Sequence, residues 1–326
     1  MLLSIIVPVY NVERYLEECL SSIFGTQHPN EDFEVIVVND GTPDNSMDIV
    51  RRYAAAHDNL HILEQANQGL SAARMNGLAL AKGDYIWFVD SDDYLLPEWQ
   101  SAVLQLLETD SPDLCISPLM WAYQNDSANR IDIRSEVPRR GIGKDYLQQH
   151  LFPIYAAPRY IIRRKLFDNT DLFFPDGLLH EDEYFGRVLL YEAKSAVILD
   201  APVYVYRIRE GSITTVPKIK SSVDILKIHE LLMSYSESNV LAQDKKWFQK
   251  DALRLIRTGF TRNEKLFSTK EFKAFRRKNL KYILAEYRKY RRNLSVKEWL
   301  SDISLYICPK LHIRLYYLFE PLFNGK

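Results

Sequence analysis

DYIWFVDSDDYL, residues 84–95, joins an apolar run directly to three carboxylates, those of Asp90, Asp92 and Asp93. The aromatic and β-branched side chains of the run predict a buried β-strand. Like charges this close repel one another, so either open water or a bound cation must stabilise the cluster. Mg²⁺ and Mn²⁺ prefer carboxylate, water and phosphate oxygens, and an acidic turn that follows a buried strand favours the cation.

Similar apolar runs lie on both sides of this segment. LSIIVPVY (3–10), FEVIVVND (33–40), NLHILEQ (59–65) and DLCIS (113–117) are predicted strands, and helical patterns separate them. We expect one of these helices to be closed by Gly83 and another to start at Pro97. Such alternation predicts a mostly parallel sheet covered by helices. Ligands bind at the carboxyl ends of parallel strands, where NDG, NQG and DSDD stand.

The distribution of charge predicts two parts. The chain has 326 residues, and its composition, 47% hydrophobic and 26% charged, is that of a globular protein. The net charge is −1, yet residues 218–326 contain 24 Lys and Arg against 11 Asp and Glu. Residues 1–217 contain 18 and 32 of the same groups. We predict an α/β domain over residues 1–217 and a basic, mainly helical region over residues 218–326.

Cysteine usage and hydropathy suggest a location. Cys19, Cys115 and Cys308 lie far apart without CxxC spacing, which argues against a zinc site or a disulfide framework and fits a reducing compartment. The first residues lack a basic leader, so we expect a strand there rather than a signal peptide. No apolar run reaches the roughly 18 residues of a spanning helix. We therefore expect a cytoplasmic protein.

Two loops at the carboxyl ends of the strands contain further candidate residues. Asp40 ends a predicted strand beside Gly41, where its carboxylate can accept hydrogen bonds from a nucleobase or ribose. Residues 44–46 (DNS) are favoured helix caps, so we expect a structural role for them. Gly69 offers close backbone approach to a ligand. Arg74 lies one turn into the next helix, and a solvated helix charge is the alternative for it.

Two later segments add acids and cations. His180, Glu181 and Asp182 open a predicted helix, whose N-terminus by itself favours carboxylates; a general base is the functional alternative. We also predict His180 as a metal ligand. In YRIREGSIT (206–214), the Arg and Ser side chains are candidates for binding a diphosphate, and an exposed strand end is the alternative. These candidates are Arg207, Arg209 and Ser212.

Together these motifs resemble glycosyltransferase family 2, the inverting transferases with the GT-A fold. The order of the motifs carries the resemblance: SIIVPVYNVERYL, VIVVNDGTPDNS, NQGLSAARMNG, GDYIWFVDSDD and then HED. It covers roughly residues 1–215, and the stretch WAYQNDSANRIDIRSEVPRRG (121–141) matches no family motif. The resemblance implies a Rossmann-like central sheet of mostly parallel strands flanked by helices.

The resemblance also implies roles for single residues. Asp40 is expected to contact a uracil-type base, Asp90 to lie near the ribose and the metal, and Asp92 to bind Mn²⁺ or Mg²⁺. Asp182 is the expected general base and Glu181 the weaker candidate. The remaining residues expected to line the donor site are Pro8, Tyr10, Glu13, Gly69, Arg74, Arg207, Arg209 and Ser212.

The predicted function is metal-dependent, inverting transfer of a sugar. The donor is a nucleoside-diphosphate sugar, with a UDP-sugar expected, and the acceptor is a saccharide or lipid-linked saccharide in cell-surface polysaccharide synthesis. The alternative is a non-catalytic module that binds a nucleotide sugar or saccharide on the same fold. A dinucleotide oxidoreductase is disfavoured because VPVYNVERYL (7–16) lacks a glycine-rich phosphate loop.

Three explanations compete for the basic C-terminal region. A solvated helical face is the simplest, and nucleic-acid binding is not supported by any recognised motif. The third is peripheral contact with the anionic inner face of a membrane. The segments KAFRRKNLKYILAEYRKYRRNL (273–294) and LHIRLYYLFEPLF (311–323) combine cations with Tyr, Leu and Phe as an interfacial helix does.

Overall fold

A computed structural model describes residues 2–25, 32–123, 126–131, 139–149, 155–208, 217–309 and 312, with the backbone alone described for residues 123 and 126–131. The chain divides into two compact units, Met1–Glu210 and Gly211–Lys326. The sequence predicts a domain boundary between residues 217 and 218, a few residues after this division. That boundary stays a prediction.

Twelve strands are described in the first unit. In chain order they are β1 (Leu3–Val9), β2 (Phe33–Asp40), β3 (Leu60–Gln65), β4 (Tyr85–Phe88), β5 (Tyr94–Leu95), β6 (Leu114–Ile116), β7 (Leu119–Tyr123), β8 (Asp126–Ile131), β9 (Arg140–Gly141), β10 (Tyr160–Arg163), β11 (Ala196–Ile198) and β12 (Tyr204–Ile208). Seven α-helices are described between them: α1 (Glu13–Phe24), α2 (Ser46–Ala56), α3 (Leu70–Leu80), α4 (Trp99–Asp110), α5 (Gly143–Gln148), α6 (Lys165–Asn169) and α7 (Glu181–Glu192). A short 3₁₀ helix spans Ala157–Arg159.

The central sheet has eight strands in the order β3-β2-β1-β4-β10-β6-β11-β9. β3, β2, β1 and β4 are parallel, which confirms the predicted α/β fold with a mostly parallel sheet. β10 runs antiparallel between β4 and β6. All seven side chains of β1 are buried, and they point alternately to the two faces of the sheet. Those of the odd-numbered residues pack with α1, α2 and α4. On the other face, α3 approaches so closely that a Cβ on Gly77 would lie 2.5 Å from Ile6 Cγ2.

A second, four-stranded sheet has the order β5-β12-β7-β8. β5 directly follows Asp93 of the acidic turn, and it pairs antiparallel with β12. The second sheet therefore continues directly from the segment that ends β4. β7, β8 and β10 were not predicted from the sequence, because residues 120–165 show no clear period.

Two predicted helix boundaries are wrong. α3 ends at Leu80 with Ala81 as its C-cap residue, not at Gly83. Gly83 instead packs on β1, where a Cβ would lie 2.6 Å from Ser4 N, and its own N–H donates to Ser4 Oγ. α4 starts at Trp99 rather than Pro97.

The second unit is helical in its described part, as predicted. Its helices are α8 (Ile219–Asn239), α9 (Ala242–Thr261), α10 (Lys270–Lys289) and α11 (Val296–Ile307), with short 3₁₀ helices at Glu264–Leu266 and Arg291–Asn293. Among the described residues of the whole chain, no helix combines the length and the apolar character needed to cross a membrane. All three cysteines are free thiols.

Candidate active site

The acidic turn is fixed to the fold through one of its three aspartates. Asp93 is buried; its Oδ2 accepts a hydrogen bond from the Tyr204 hydroxyl at 2.6 Å and its Oδ1 accepts one from Arg207 N–H at 2.8 Å. Burial, and then the charges of Asp92 and Asp90, raise the pKa of Asp93 well above its usual range. Asp93 therefore attaches the turn to β12, whereas the partly exposed Asp90 and Asp92 are accessible to a ligand.

Arg74 connects this turn to the start of α7. Its Nη2 donates to Asp90 Oδ1 and its Nη1 donates to Glu181 Oε1, each at 2.7 Å. The side chain is 3% exposed, and its guanidinium lies 4.9 Å from the centre of the Phe174 ring. Burial alone would lower the pKa of Arg74, but Asp90 and Glu181 together raise it above its ordinary value. Arg74 is thus a buried bridge rather than a solvated helix charge.

The first turn of α7 carries three acids in different surroundings. Glu181 pairs with Arg74, and the buried Glu183 pairs with Arg187 at 2.6 Å. Asp182 is partly exposed, and its charge contributes to the raised pKa of Arg74. Asp182 directly follows Glu181, the partner of Arg74, in the first turn of α7. His180 precedes the helix in the left-handed conformation, with φ of +66°.

Asp40 lies where the loops after β2 and β3 meet. Its Oδ1 accepts hydrogen bonds from Gln65 Nε2 at 2.8 Å and Gln68 N–H at 2.7 Å, and its Oδ2 accepts one from Gly69 N–H at 2.9 Å. Gly69 has a φ of +91°, which few residues other than glycine adopt. The carboxylate of Asp40 therefore positions the N-terminus of α3, and its predicted contact with a base stays a prediction.

Glu13 and Asp44 cap each other's helices. Asp44 Oδ2 accepts a hydrogen bond from Glu13 N–H at 2.8 Å, at the start of α1. Glu13 Oε2 in turn accepts one from Asn45 N–H at 3.2 Å, at the start of α2. Burial raises the pKa of Asp44, but hydrogen bonds from Thr42, Ser46 and the Glu13 backbone outweigh it and lower that pKa to about 2. Of the three residues expected to cap α2, Asp44 accepts a hydrogen bond from Ser46 N–H at 3.2 Å, whereas the N-cap residue Asn45 makes no side-chain cap.

The other predicted residues of the first loop differ in exposure. Tyr10 is 48% exposed, directly after β1. Pro8 is buried in β1, at a point beyond the paired segment of β4, which ends with Phe88 opposite Ile6. Proline has no N–H to donate to a neighbouring strand. None is needed at this position, because the pairing of β1 with β4 has already ended.

The side chain of Arg207 also holds the acidic turn in place. Its Nε donates to the backbone oxygen of Asp92 at 2.9 Å, and its Nη2 pairs with Glu18 at 2.7 Å. Its guanidinium also lies 5.2 Å from the centre of the Tyr15 ring. Its predicted contact with a diphosphate stays a prediction. Arg209 and Ser212 fall outside the described residues.

Sequence reasoning missed several residues that hold the site together. Tyr204 and Glu18 were not selected because each is ordinary in its own segment, one in an apolar strand and the other on a helix surface. The one available signal was the third acid of the DSDD turn, Asp93: a buried third carboxylate requires donors from elsewhere in the fold.

The arrangement suits a divalent cation that shares its coordination with a substrate. Within the described part of the chain, no three His, Cys, Asp or Glu side chains are close enough to hold a metal by themselves. Asp90, Asp92 and His180 thus do not form a complete protein site. Mg²⁺ in proteins is commonly held by one or two carboxylates plus substrate phosphates and water, and the partly exposed Asp90 and Asp92 provide that donor set.

The chain resembles known proteins in both sequence and structure. The profile of the family described as Glycosyl transferase family 2 matches residues 4–170, about half of the chain. The uncharacterized glycosyltransferase EpsJ of Bacillus subtilis is 36% identical over 228 residues, which are 66% of this chain and 64% of EpsJ. The match therefore spans less than two thirds of EpsJ.

Two solved structures share the fold. S. aureus TarS 1–349 in complex with UDP-GlcNAc superposes with a TM-score of 0.68 at 21% identity, over 93% of this chain and 84% of that one. The mannosyltransferase PcManGT from Pyrobaculum calidifontis, in complex with GDP-Man and Mn²⁺, gives a TM-score of 0.56 at 17% identity, over 94% and 87%. The GT-A-type fold and the extent of the profile match lead to one conclusion: the chain belongs to glycosyl transferase family 2.

Proposed function

We propose that this protein transfers a sugar, with inversion of configuration, from a UDP-sugar to a saccharide or lipid-linked saccharide acceptor in cell-surface polysaccharide synthesis. The double ion pair of Arg74 is the observation that carries the proposal. It joins Asp90 and Glu181, about ninety residues apart in the sequence, at 2.7 Å each. The acidic turn and the acid-rich start of α7 therefore lie next to each other, at the carboxyl ends of the parallel strands.

The donor is assigned to the loops at that edge. Pro8 and Asp40 lie near the carboxyl ends of β1 and β2, and Tyr10, Glu13 and Gly69 lie in the segments after β1 and β3. Hydrogen bonds from Glu13 N–H to Asp44 and from Gly69 N–H to Asp40 connect these segments, whose surface would contact the nucleotide. Family membership supports a nucleotide-sugar donor. The TarS and PcManGT complexes contain UDP-GlcNAc and GDP-Man respectively, and both folds resemble this one.

Asp92 and Asp90 are the proposed metal ligands, together with the phosphates of the donor. A Mn²⁺ or Mg²⁺ ion held there would neutralise charge on the departing diphosphate. Asp90 has one carboxylate oxygen bonded to Arg74 and therefore keeps a fixed orientation. The backbone of Asp92 is held by Arg207, so its side chain extends from an anchored position.

Asp182 is the proposed general base. It accepts the proton of an acceptor hydroxyl while that oxygen attacks the anomeric carbon of the donor. The bond from that carbon to the diphosphate breaks on the opposite face, so configuration inverts. Glu181 is the weaker candidate, because its carboxylate already accepts a hydrogen bond from Arg74 at 2.7 Å. Base catalysis of this kind typically contributes about 10²–10⁴-fold.

The test is a screen for slow hydrolysis of UDP- and GDP-sugars with Mn²⁺, followed by transfer to saccharide acceptors. We expect Asp182→Asn to lower transfer by about 10²-fold or more while nucleotide binding is retained. We expect Asp92→Asn to weaken Mn²⁺-dependent nucleotide binding itself. Asp176→Asn, a change at an exposed acid six residues before Asp182, is the matched control and should behave as wild type.

Two results would overturn parts of the proposal. If Asp182→Asn keeps most of the transfer rate, Asp182 is not the base. If the protein binds a nucleotide sugar and yet neither hydrolyses nor transfers it under any condition tested, the non-catalytic binding module is the better description.

A further inference from the structure

Helix α11 of the second unit exposes a stripe of aliphatic side chains. Val296 is 61% exposed, Leu300 55% and Ile307 48%, and the partly exposed Ile303 lies between them. Their spacing of four, seven and eleven residues places all four on one face of the helix. Surface leucines and isoleucines scattered singly are ordinary, but a continuous row along one helix indicates a contact surface.

The opposite face of α11 is firmly packed, so the orientation of the stripe is fixed. Leu305 and Tyr306 are fully buried, and the Tyr306 hydroxyl lies 2.9 Å from that of Tyr287 on α10. Asp302 pairs with Arg257 on α9. A capping box between Ser295 and Glu298 closes the N-terminus of the helix.

Cations border the stripe at both ends. The Arg291 guanidinium lies 5.2 Å from the centre of the Trp299 ring near the start of α11, and Arg276 donates to the backbone oxygen of Ile307 at its end. Lys297 is exposed beside Val296. The sequence from residue 270 to residue 307, which includes α10 and α11, contains eleven Lys and Arg against four Asp and Glu. The aliphatic row therefore belongs to a basic part of the chain.

We propose that the exposed face of α11 binds an anionic lipid membrane, with Val296, Leu300, Ile303 and Ile307 at the boundary of the acyl chains. Amphipathic helices that lie in the plane of a membrane combine an apolar row with flanking cations in this way. A nucleic acid would use the cations but leave the aliphatic row unexplained. Membrane contact is thus assigned to one helix rather than to the whole basic region. It does not depend on the donor chemistry proposed above.

The test is co-sedimentation of the full chain with vesicles of phosphatidylglycerol and phosphatidylcholine, and with vesicles of phosphatidylcholine alone. We expect binding to the anionic vesicles, weakened by salt, and little binding to the neutral ones. The double variant Leu300→Ser with Ile307→Ser should bind about tenfold more weakly or worse, because two aliphatic side chains no longer enter the membrane. Leu241→Ser is the matched control: Leu241 is 57% exposed but lies between α8 and α9, and its replacement should leave binding unchanged.

Thermal unfolding of the double variant should match that of wild type, since both side chains are exposed. The proposal is overturned if wild type ignores anionic vesicles, or if the double variant binds them as wild type does. It is also overturned if wild type is a dimer that the double variant dissociates, because the stripe is then an interface between two copies. Hydrolysis of nucleotide sugars in solution should be the same in wild type and double variant, so failure here leaves the proposed transfer reaction untouched.

Discussion

Replacing Arg74 with glutamine removes the guanidinium that joins Asp90 to Glu181. Hydrogen bonds to charged groups contribute about 1.5–3 kcal/mol each, and breaking a buried ion pair from one side costs about 3–5 kcal/mol. The Asp90 and Glu181 side chains are 23% and 12% exposed, so water relieves part of that cost. We expect the free energy of unfolding to fall by about 3 kcal/mol.

Urea unfolding measures this loss. With a slope of about 3 kcal/mol per molar urea, the midpoint should fall by about 1 M. Arg74→Lys should lose about half as much, because an ammonium does not hold two carboxylates in the fixed fork of a guanidinium. Sugar transfer should fall in both variants, since the acidic turn and α7 lose their common anchor.

Arg51→Gln is the matched control. Arg51 pairs with Asp48 at 3.0 Å, but their side chains are 62% and 75% exposed. Exposed pairs contribute less than about 1 kcal/mol, so this midpoint should hardly move. If Arg74→Gln shifts the midpoint no more than Arg51→Gln does, the bridge does not hold the site together.

Three further predictions concern residues that support the site. Asp44→Asn should lower stability by about 1 kcal/mol at pH 7, after solvent screening reduces the full effect of a pKa shift from 3.8 to about 2. Because the native pKa is depressed, this stabilisation is present above pH 3.8 and is lost as the pH falls towards 2, so urea unfolding of wild type and variant should converge there; a constant difference would contradict the reasoning. Gly69→Ala should lower stability by about 1–2 kcal/mol in thermal unfolding, because its φ of +91° strains any side chain although no atom lies within 4 Å of the new Cβ. Tyr204→Phe should cost about 1–3 kcal/mol in urea unfolding by removing the donor to the buried Asp93, and an unchanged midpoint would show that the turn is held by other contacts.

Local sequence patterns predicted the parallel half of the sheet well. β1 and β2 are buried apolar runs of seven and eight residues, and β3 and β4 are shorter. Helices lie between all four strands, as predicted. β10, Tyr160–Arg163, was missed because it lies in a part of the sequence where strand and helix patterns do not alternate regularly. Its insertion between β4 and β6 depends on which edges remain unpaired, and a local pattern carries no information on that.

The site shows the same limit at the level of single residues. The acidic turn and the HED segment were recognised as candidate elements, and the structure brings Asp90 and Glu181 together. The contact itself runs through Arg74, whose two partners lie 16 and 107 residues away. A lone arginine on a helix gives no indication of such distant partners, so its burial could not be inferred. In the same way, the separate roles of Asp93 and Asp92 depend on Tyr204 and Arg207, which come from the far end of the first unit.

The exchange of caps between Glu13 and Asp44 affects how this edge of the sheet can move. Asp44, in the loop after β2, stabilises the start of α1. Glu13, after β1, stabilises the start of α2. The loops after β1 and β2 are therefore connected through the first turns of α1 and α2. Opening of one loop should therefore weaken the start of the neighbouring helix, and we expect the two loops to open together rather than one at a time.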